Sequence, residues 1–367
     1  MRSIDIFLSL LLLTATGCPK SSTSDAGSVA SSDPIDAAAS VAPAASAAAA
    51  SPSTSTPVGV APAFLKLTPI PSGPIAVTGY PHPIRMGMND PARWAGFSKD
   101  GTLFGYCAEG GGIASTSCAF TDAAGKITTM ASSEGDETPA EKAKRKAIDK
   151  FMASHGIPML NLEGDSLKAI PPAMTGTWPF TDITVDVALG ESIGGKDGKE
   201  TSATIQVGGT VKGDTSPVHP ITLGSPVAAM SPANFVAMNV LSLGPGGTDI
   251  GMVGTFFAGE YSDAFTVKRL PAASFASLVY NDAGFRHHQK SDFVRSATLF
   301  AKAVGADPNA KLPPYNLACA WARLKDPRTK DALAFAIARD PSVKTRAKKD
   351  KDFDAVKSEP WFTDLTK

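Results

Sequence analysis

The sequence predicts an α+β protein: a β-rich, mainly antiparallel region with one helix over residues 63–271, followed by an α-helical region over residues 272–367. Two observations carry that expectation. Through the middle of the chain, short runs rich in Val, Ile, Thr and Phe alternate with clusters of Gly, Pro and Asp, the pattern of paired strands and turns. From Tyr280 onward the glycines thin out and apolar residues recur at the spacing of a helix packed on one face.

The chain opens with Arg2, an apolar run from Ile6 to Leu13 broken only by Ser9, and the small residues Thr14 to Gly17 before Cys18. A charged start, a short apolar run and small residues predict a signal peptide over residues 1–17. The run is far shorter than the roughly 20 apolar residues of a spanning helix, and no later stretch approaches that length. Ala15-Thr16-Gly17-Cys18 resembles the bacterial lipobox, with Ala where Leu is usual. The resemblance implies cleavage before Cys18, lipidation of its thiol and a membrane-anchored place in the cell envelope, facing the periplasm or the exterior. Several acyl chains anchor stably where one anchors marginally, because each buried methylene contributes about 0.8 kcal/mol. Pro19 stands where the best-known sorting rule has the aspartate of inner-membrane retention, which favours the outer membrane.

From residue 18 to residue 62 the chain is mostly Ala, Ser, Pro and Thr, without an aromatic residue. Such a composition cannot bury enough apolar surface to offset the entropy of ordering it, so a disordered linker is expected. A helix through Ala37 to Ala50 is disfavoured by Pro43 and the Ser-rich flanks. As a flexible coil the segment would span roughly 35 to 40 Å.

Lys and Arg number 35 and so do Asp and Glu, giving a formal net charge of +0. That balance argues against a nucleic-acid partner, which needs excess cations to displace phosphate counterions. The balance is uneven, with 17 basic against 11 acidic residues from Asn281 to the end. A mildly basic helical face is ordinarily a solvated one.

In the middle region, aromatic-rich runs flank Ser98-Lys99-Asp100-Gly101, so an Asp-Gly turn is expected to join two strands. A third run, Ser117 to Thr121, meets a turn at Ala123 to Lys126 and continues as Ile127 to Met130, extending the hairpin into a meander. The turn resembles one in the blades of periplasmic WD40-like propellers, but no repeat recurs at propeller spacing. Cys107 and Cys118 are expected at strand ends facing each other across the glycine-rich loop Gly110 to Gly112. In an oxidising compartment that placement favours a disulfide, the alternative being two buried free thiols. A bridge here reads as a staple, since reactive pairs usually sit together as Cys-x-x-Cys.

Thr138-Pro139-Ala140-Glu141 is a capping box with proline at the first helical position. The helix it starts should run to about Ser154, with Ala140, Ala147, Ile148, Phe151 and Met152 on one side and Gly156 and Pro158 stopping it. Packing of that helix on a sheet is expected over a membrane-surface role. Strands are expected at Ile183 to Leu189, Ala203 to Gly208, Phe235 to Leu243, Gly251 to Phe257 and Ala264 to Leu270.

Gly190-Glu191-Ser192-Ile193-Gly194 has the letters of a hydrolase nucleophile elbow, and the stretch to Asp197 nearly spells a phosphate-binding loop. Neither is followed by the helix its chemistry requires: Gly195-Lys196-Asp197-Gly198-Lys199 reads as a turn into the next strand, and Asp197 would repel phosphate, so a hairpin turn is expected. The histidines His82, His155, His219, His287 and His288 lack the helical zinc-site pattern. His287, His288 and Asp292 could meet a metal at a helix junction, but they read better as exposed residues at a helix end. No catalytic residue, cofactor or metal site is therefore expected, and the chain is not expected to be an enzyme.

In the helical region, Tyr280, Gly284, Phe300, Ala303 and Pro308, then Tyr315-Asn316-Leu317-Ala318, Trp321, Ala332, Leu333 and Pro341, resemble two tetratricopeptide repeats. Ser296 stands in place of the usual alanine, and the second helix of the second unit is about three residues short. Asp350 to Asp354 and Ser358-Glu359-Pro360-Trp361-Phe362 resemble the end-of-array version, in which a polar helix and an aromatic plug close the stack. Cys319, between Ala318 and Ala320, is expected to be a small buried thiol. The resemblance implies a protein-binding or assembly surface. Two repeats are fewer than a free-standing array needs, so packing against the middle region is expected. Together these readings predict a lipid-anchored envelope protein that binds an unknown protein partner. The competing expectation is an envelope enzyme whose site no linear motif reveals.

Overall fold

The computed structural model describes residues 62–66, 77–78, 92–110, 115–133, 138–156, 178–194, 200–224, 236–257 and 263–367. The segments expected to be a signal peptide and, as far as residue 61, a linker, with Cys18, His82 and residues 195–199 of the glycine motif, lie outside them. The fold is mixed α+β, with three sheets in the middle region and a C-terminal run of helices.

The strands are β1 (Val77–Thr78), β2 (Ala92–Phe97), β3 (Leu103–Gly110), β4 (Ser115–Asp122) and β5 (Ile127–Ser133), then, after helix α1 (Pro139–His155), β6 (Ile183–Gly194), β7 (Glu200–Val211), β8 (Val218–Gly224), β9 (Val236–Leu243), β10 (Asp249–Phe257) and β11 (Asp263–Pro271). The helices after them are α2 (Ala272–Gln289), α3 (Phe293–Ala306), α4 (Leu312–Arg323), α5 (Thr329–Arg339), α6 (Val343–Lys349) and α7 (Pro360–Thr366).

Strands β2 to β5 form the expected antiparallel meander in chain order. Its first turn is built by Asp100, whose Oδ1 accepts from Ser98 Oγ at 2.6 Å and from Thr102 N at 3.0 Å, while Gly101 takes the left-handed φ of 71° that closes it. Cys107 and Cys118 do not face each other across a loop at strand ends. They are direct cross-strand partners well inside β3 and β4, with Cα atoms 4.0 Å apart and the sulfurs at bonding distance. The pairing register, rather than the glycine loop, brings them together.

Helix α1 lies over that cysteine pair. Thr138 Oγ1 accepts from the Glu141 amide at 3.3 Å and Gly156 caps the other end at a φ of 58°. Ile148 and Met152 are buried, with Phe151 beside them, against Cys107, Cys118 and Phe120. Ala140 and Ala147, expected on this side, are exposed. Ala147 precedes Ile148 by one position, about 100° round the helix, which turns it out of the stripe set by Ile148 and Met152.

The sheet of β9, β10 and β11 sits between two partners, and the alternation along β10 shows how. Gly251 and Val253, with Val267 of β11, face the meander, where Phe97, Phe104 and Tyr106 complete a core. Ile250, Met252 and Phe256 face the other way, into a larger core shared with β6, β7, β8 and α2. A strand buried on both faces needs apolar residues at successive positions, and Ile250 to Val253 supply them.

In the third sheet β6, β7 and β8 are antiparallel, and β1 joins β6 in parallel. Neither β1 nor β8 is legible in the sequence. Asp186 on β6 and His219 on β8 meet across the middle strand, Oδ1 to Nε2 2.6 Å, above Gly208. A Cβ at Gly208 would stand 1.8 Å from the Val218 carbonyl oxygen, so only glycine permits this close packing.

Helix α2 begins directly after β11, eight residues before Tyr280. Phe275, Ala276, Val279, Tyr280 and Ala283 fill the larger core together with Trp178, Val185, Val207 and Ile250. The helical region is thus seated on the sheets, as expected of so few helices. Gly284 lets α3 cross closely, since a Cβ there would be 2.8 Å from the Phe300 ring. Phe300 and Val304 then begin a second core, built mainly by the helices, that ends at Phe353 and Phe362.

Candidate interaction site

Polar junctions hold the helices on the sheets. Asp214, in the turn after β7, accepts from Arg295 Nη2 at 3.1 Å and faces Arg286 Nη2 at 3.4 Å and His287 Nε2 at 3.2 Å. Asp182, just before β6, accepts from the Tyr280 hydroxyl and from Lys302 Nζ, the latter at 2.6 Å. Burial, and then the hydrogen bond from the hydroxyl to Asp182, push the Tyr280 phenol far above its ordinary range.

The histidines at the end of α2 are not the exposed pair expected. His287 lies between Asp214 and Asp292, and His288 is buried, its Nε2 2.9 Å from Asp352 Oδ2. The reason is tertiary: the β7–β8 turn and the chain after α6 fold back over this helix end. Cys319 is buried, as expected of a small thiol, with its Sγ 3.8 Å from Asp350 Oδ2. Cys319, Asp350 and Asp352 offer ligand atoms within 4.8 Å of one another. Their carboxylates are already engaged, Asp350 by the Tyr315 hydroxyl at 2.6 Å and the Asp352 amide at 3.0 Å, Asp352 by His288 and by Arg323 at 3.6 Å. This is a hydrogen-bonded junction between α2, α4 and the segment that closes the second core.

Gly190 to Gly194 are part of strand β6, paired with β7 from Gly190↔Thr204 to Gly194↔Glu200. The first five residues of the expected hairpin turn are thus strand, and residues 195–199, where the turn into the next strand is expected, lie outside the described residues. Ser192 lies in a regular ladder, not on the tight strand-to-helix bend that a nucleophile elbow needs.

One edge of the helical core is built from aromatic and small side chains. Pro313 and Pro314 start α4, and Ala318, Ala320 and Ala322 on it, with Ala332 and Ala336 on α5, are small enough for the two helices to approach closely. Trp321 from α4 and Phe335 from α5 stand together at the margin of the resulting core. The Arg328 guanidinium lies over the Trp321 ring, 4.4 Å from its centroid, and that of Arg339 over Phe335 at 4.9 Å. Arg328 is clamped by Asp326 through Nε at 2.9 Å and Nη2 at 2.6 Å, which holds the Asp326 carboxyl below the usual carboxylate range. Arg339 donates instead to a neutral group, Asn309 Oδ1, at 2.8 Å.

A remote piece of the chain packs against these rings. The Leu65 amide donates to the Pro62 carbonyl at 2.9 Å, closing a turn that presents Phe64 and Leu65 side by side. Phe64 meets Trp321 edge-on at 5.9 Å and Phe335 at 6.1 Å, and Leu65 joins the same core. Sequence reasoning missed this contact, because Phe64 lies more than two hundred residues from either ring. The available signal was that Phe64 is the first aromatic residue after the Ala/Ser/Pro segment.

No family model matches the chain, and no curated protein or solved structure is significantly similar to it. Among the described residues no helix is long and apolar enough to cross a membrane.

Proposed function

We propose that this is a lipid-anchored protein of the cell envelope, held through Cys18, that acts by binding another protein at its C-terminal helices. In this reading the helices are two units of tetratricopeptide type with an end-of-array cap, and the sheets are the scaffold that seats them. The observation that carries it is the Phe64–Leu65 turn against Trp321 and Phe335: the α4–α5 surface accepts a short apolar segment that is remote in sequence. Aromatic rings flanked by guanidinium groups are the residue types that concentrate binding energy in protein interfaces. The α4–α5 surface offers stacking and apolar contact rather than a nucleophile beside a base, so binding fits it better than catalysis.

Two measurements test the reading. Metabolic labelling with an acyl probe should tag the wild type and leave Cys18→Ala unlabelled; equal labelling removes the anchor. Capture from detergent-solubilised envelopes should recover a partner with the wild type and lose it on Trp321→Ala or Phe335→Ala. A partner retained by both variants places the binding surface elsewhere.

A further inference from the structure

We infer that the Trp321–Phe335 groove is a receptor for a short turn carrying adjacent aromatic and leucine side chains with an acidic neighbour, and that the chain's own Pro62–Lys66 turn is a resident competitor for it. The inference rests on the protein-binding reading above and adds to it the ligand class and a means of regulation.

Three features lead there. The resident turn supplies no strand or helix to the fold, and Phe64 and Leu65 are only half-buried, whereas Trp321 beneath them is 3 % exposed. The segment therefore lies at the edge of the helical core and covers Trp321 from outside, so its departure uncovers that ring rather than opening an enclosed cavity. Its recognition elements are two side chains and one turn hydrogen bond, the scale of a short linear motif.

The charges, however, are mismatched. Guanidinium groups cover both rings; Arg328 is neutralised by Asp326, whereas among the described residues the hydrogen bond of Arg339 goes to the uncharged Asn309 amide. The resident turn brings a further cation, the exposed Lys66, to a helical region that already holds 17 basic against 11 acidic residues. A ligand with a carboxylate in place of that ammonium brings the opposite charge to this basic region and gains attraction that the resident lacks. The resident persists because it is tethered: an intramolecular segment acts at an effective concentration of order millimolar and excludes weak or dilute ligands. A better-matched partner displaces it.

Fluorescence polarisation with labelled peptides tests this on the full chain in detergent. The probes are the seven residues Ala61 to Leu67 and the same peptide carrying Lys66→Glu. The proteins are the wild type, a Phe64→Ala/Leu65→Ala chain whose groove is vacated, and that chain with Trp321→Ala or, as a milder change, Phe335→Ala. The vacated chain should bind the native peptide at least about tenfold more tightly than the wild type does. It should bind the Glu peptide about three- to tenfold more tightly still, an advantage that shrinks in high salt. Either groove substitution should cost about tenfold or more. If the vacated chain keeps the wild-type circular dichroism and binds neither peptide, the groove is no receptor and the inference fails. Equal binding by wild type and vacated chain removes the competition, and a Glu peptide no tighter than the native one removes the acidic preference. Envelope capture separates this from the broader reading: a partner still held by Trp321→Ala and Phe335→Ala sinks the groove inference while protein binding stands.

Discussion

Gly251→Ala should loosen the contact between the central sheet and the meander. A Cβ at this position stands 2.4 Å from Phe104 Cδ2 and Cε2 and 2.7 Å from Cζ, where carbon atoms rest at about 3.5 to 4.0 Å. The shortfall exceeds about 1 Å, and the ring has little room to retreat, since Phe104 is fully buried with the Phe97 centroid 4.8 Å from its own. Overpacking of this kind costs about 1 to 3 kcal/mol. At about 2 kcal/mol, and roughly 2 to 4 °C per kcal/mol for a body of this size, the melting temperature should fall by about 4 to 8 °C. Phe104→Leu alone should cost about 1 to 2 kcal/mol through lost contacts. In the double variant the alanine methyl enters space the ring has left, so its stability should be close to that of Phe104→Leu, a coupling of about 1 to 2 kcal/mol. Circular dichroism melts and urea titrations of the four proteins measure it. A Gly251→Ala chain melting with the wild type, or strict additivity in the double variant, would refute the packing of Phe104 onto β10.

Further outcomes follow from other contacts. Cys107→Ala/Cys118→Ala opens a loop of sequence separation 11 and should cost about 2 to 3 kcal/mol, and neither thiol of the wild type should react with a maleimide until reductant is added. Asp100, held down to about 2 chiefly by the Ser98 hydroxyl, should titrate there by carbon-detected NMR, and Ser98→Ala should move its midpoint up toward the ordinary carboxylate range. Tyr280 stays protonated in the folded chain when the unfolded chain ionises, so its contribution to stability is complete below a pH of about 10 and declines as pH rises above it. Tyr280→Phe should therefore melt lower at neutral pH, through loss of the Asp182 hydrogen bond, yet lose less stability than the wild type between about pH 9 and pH 11.

Much of the local structure was legible because its causes are local. Asp100-Gly101 makes a turn through its own hydrogen bonds and a left-handed glycine, and Thr138-Pro139 starts a helix for reasons contained in four residues. Strand β8 was not legible, since Val218-His219-Pro220-Ile221 has a proline and a histidine where a strand usually has neither. It exists because β7 offers it a partner and Gly208 leaves room for the Asp186–His219 contact across that strand. The end of α2 misled for the same reason: two adjacent histidines before a turn read as exposed until Asp214 and Asp352 arrive from elsewhere.

The class of fold, the strand runs, the capped helix and the likelihood of a cysteine bridge all rest on composition, period and turn chemistry, which act over a few residues and can be read in order along the chain. Which faces meet, the register that sets Cys107 opposite Cys118, and the seat of Phe64 between Trp321 and Phe335 are decided by tertiary packing. Those contacts join segments far apart in sequence, and their energy depends on shape and distance, quantities that residue order does not contain.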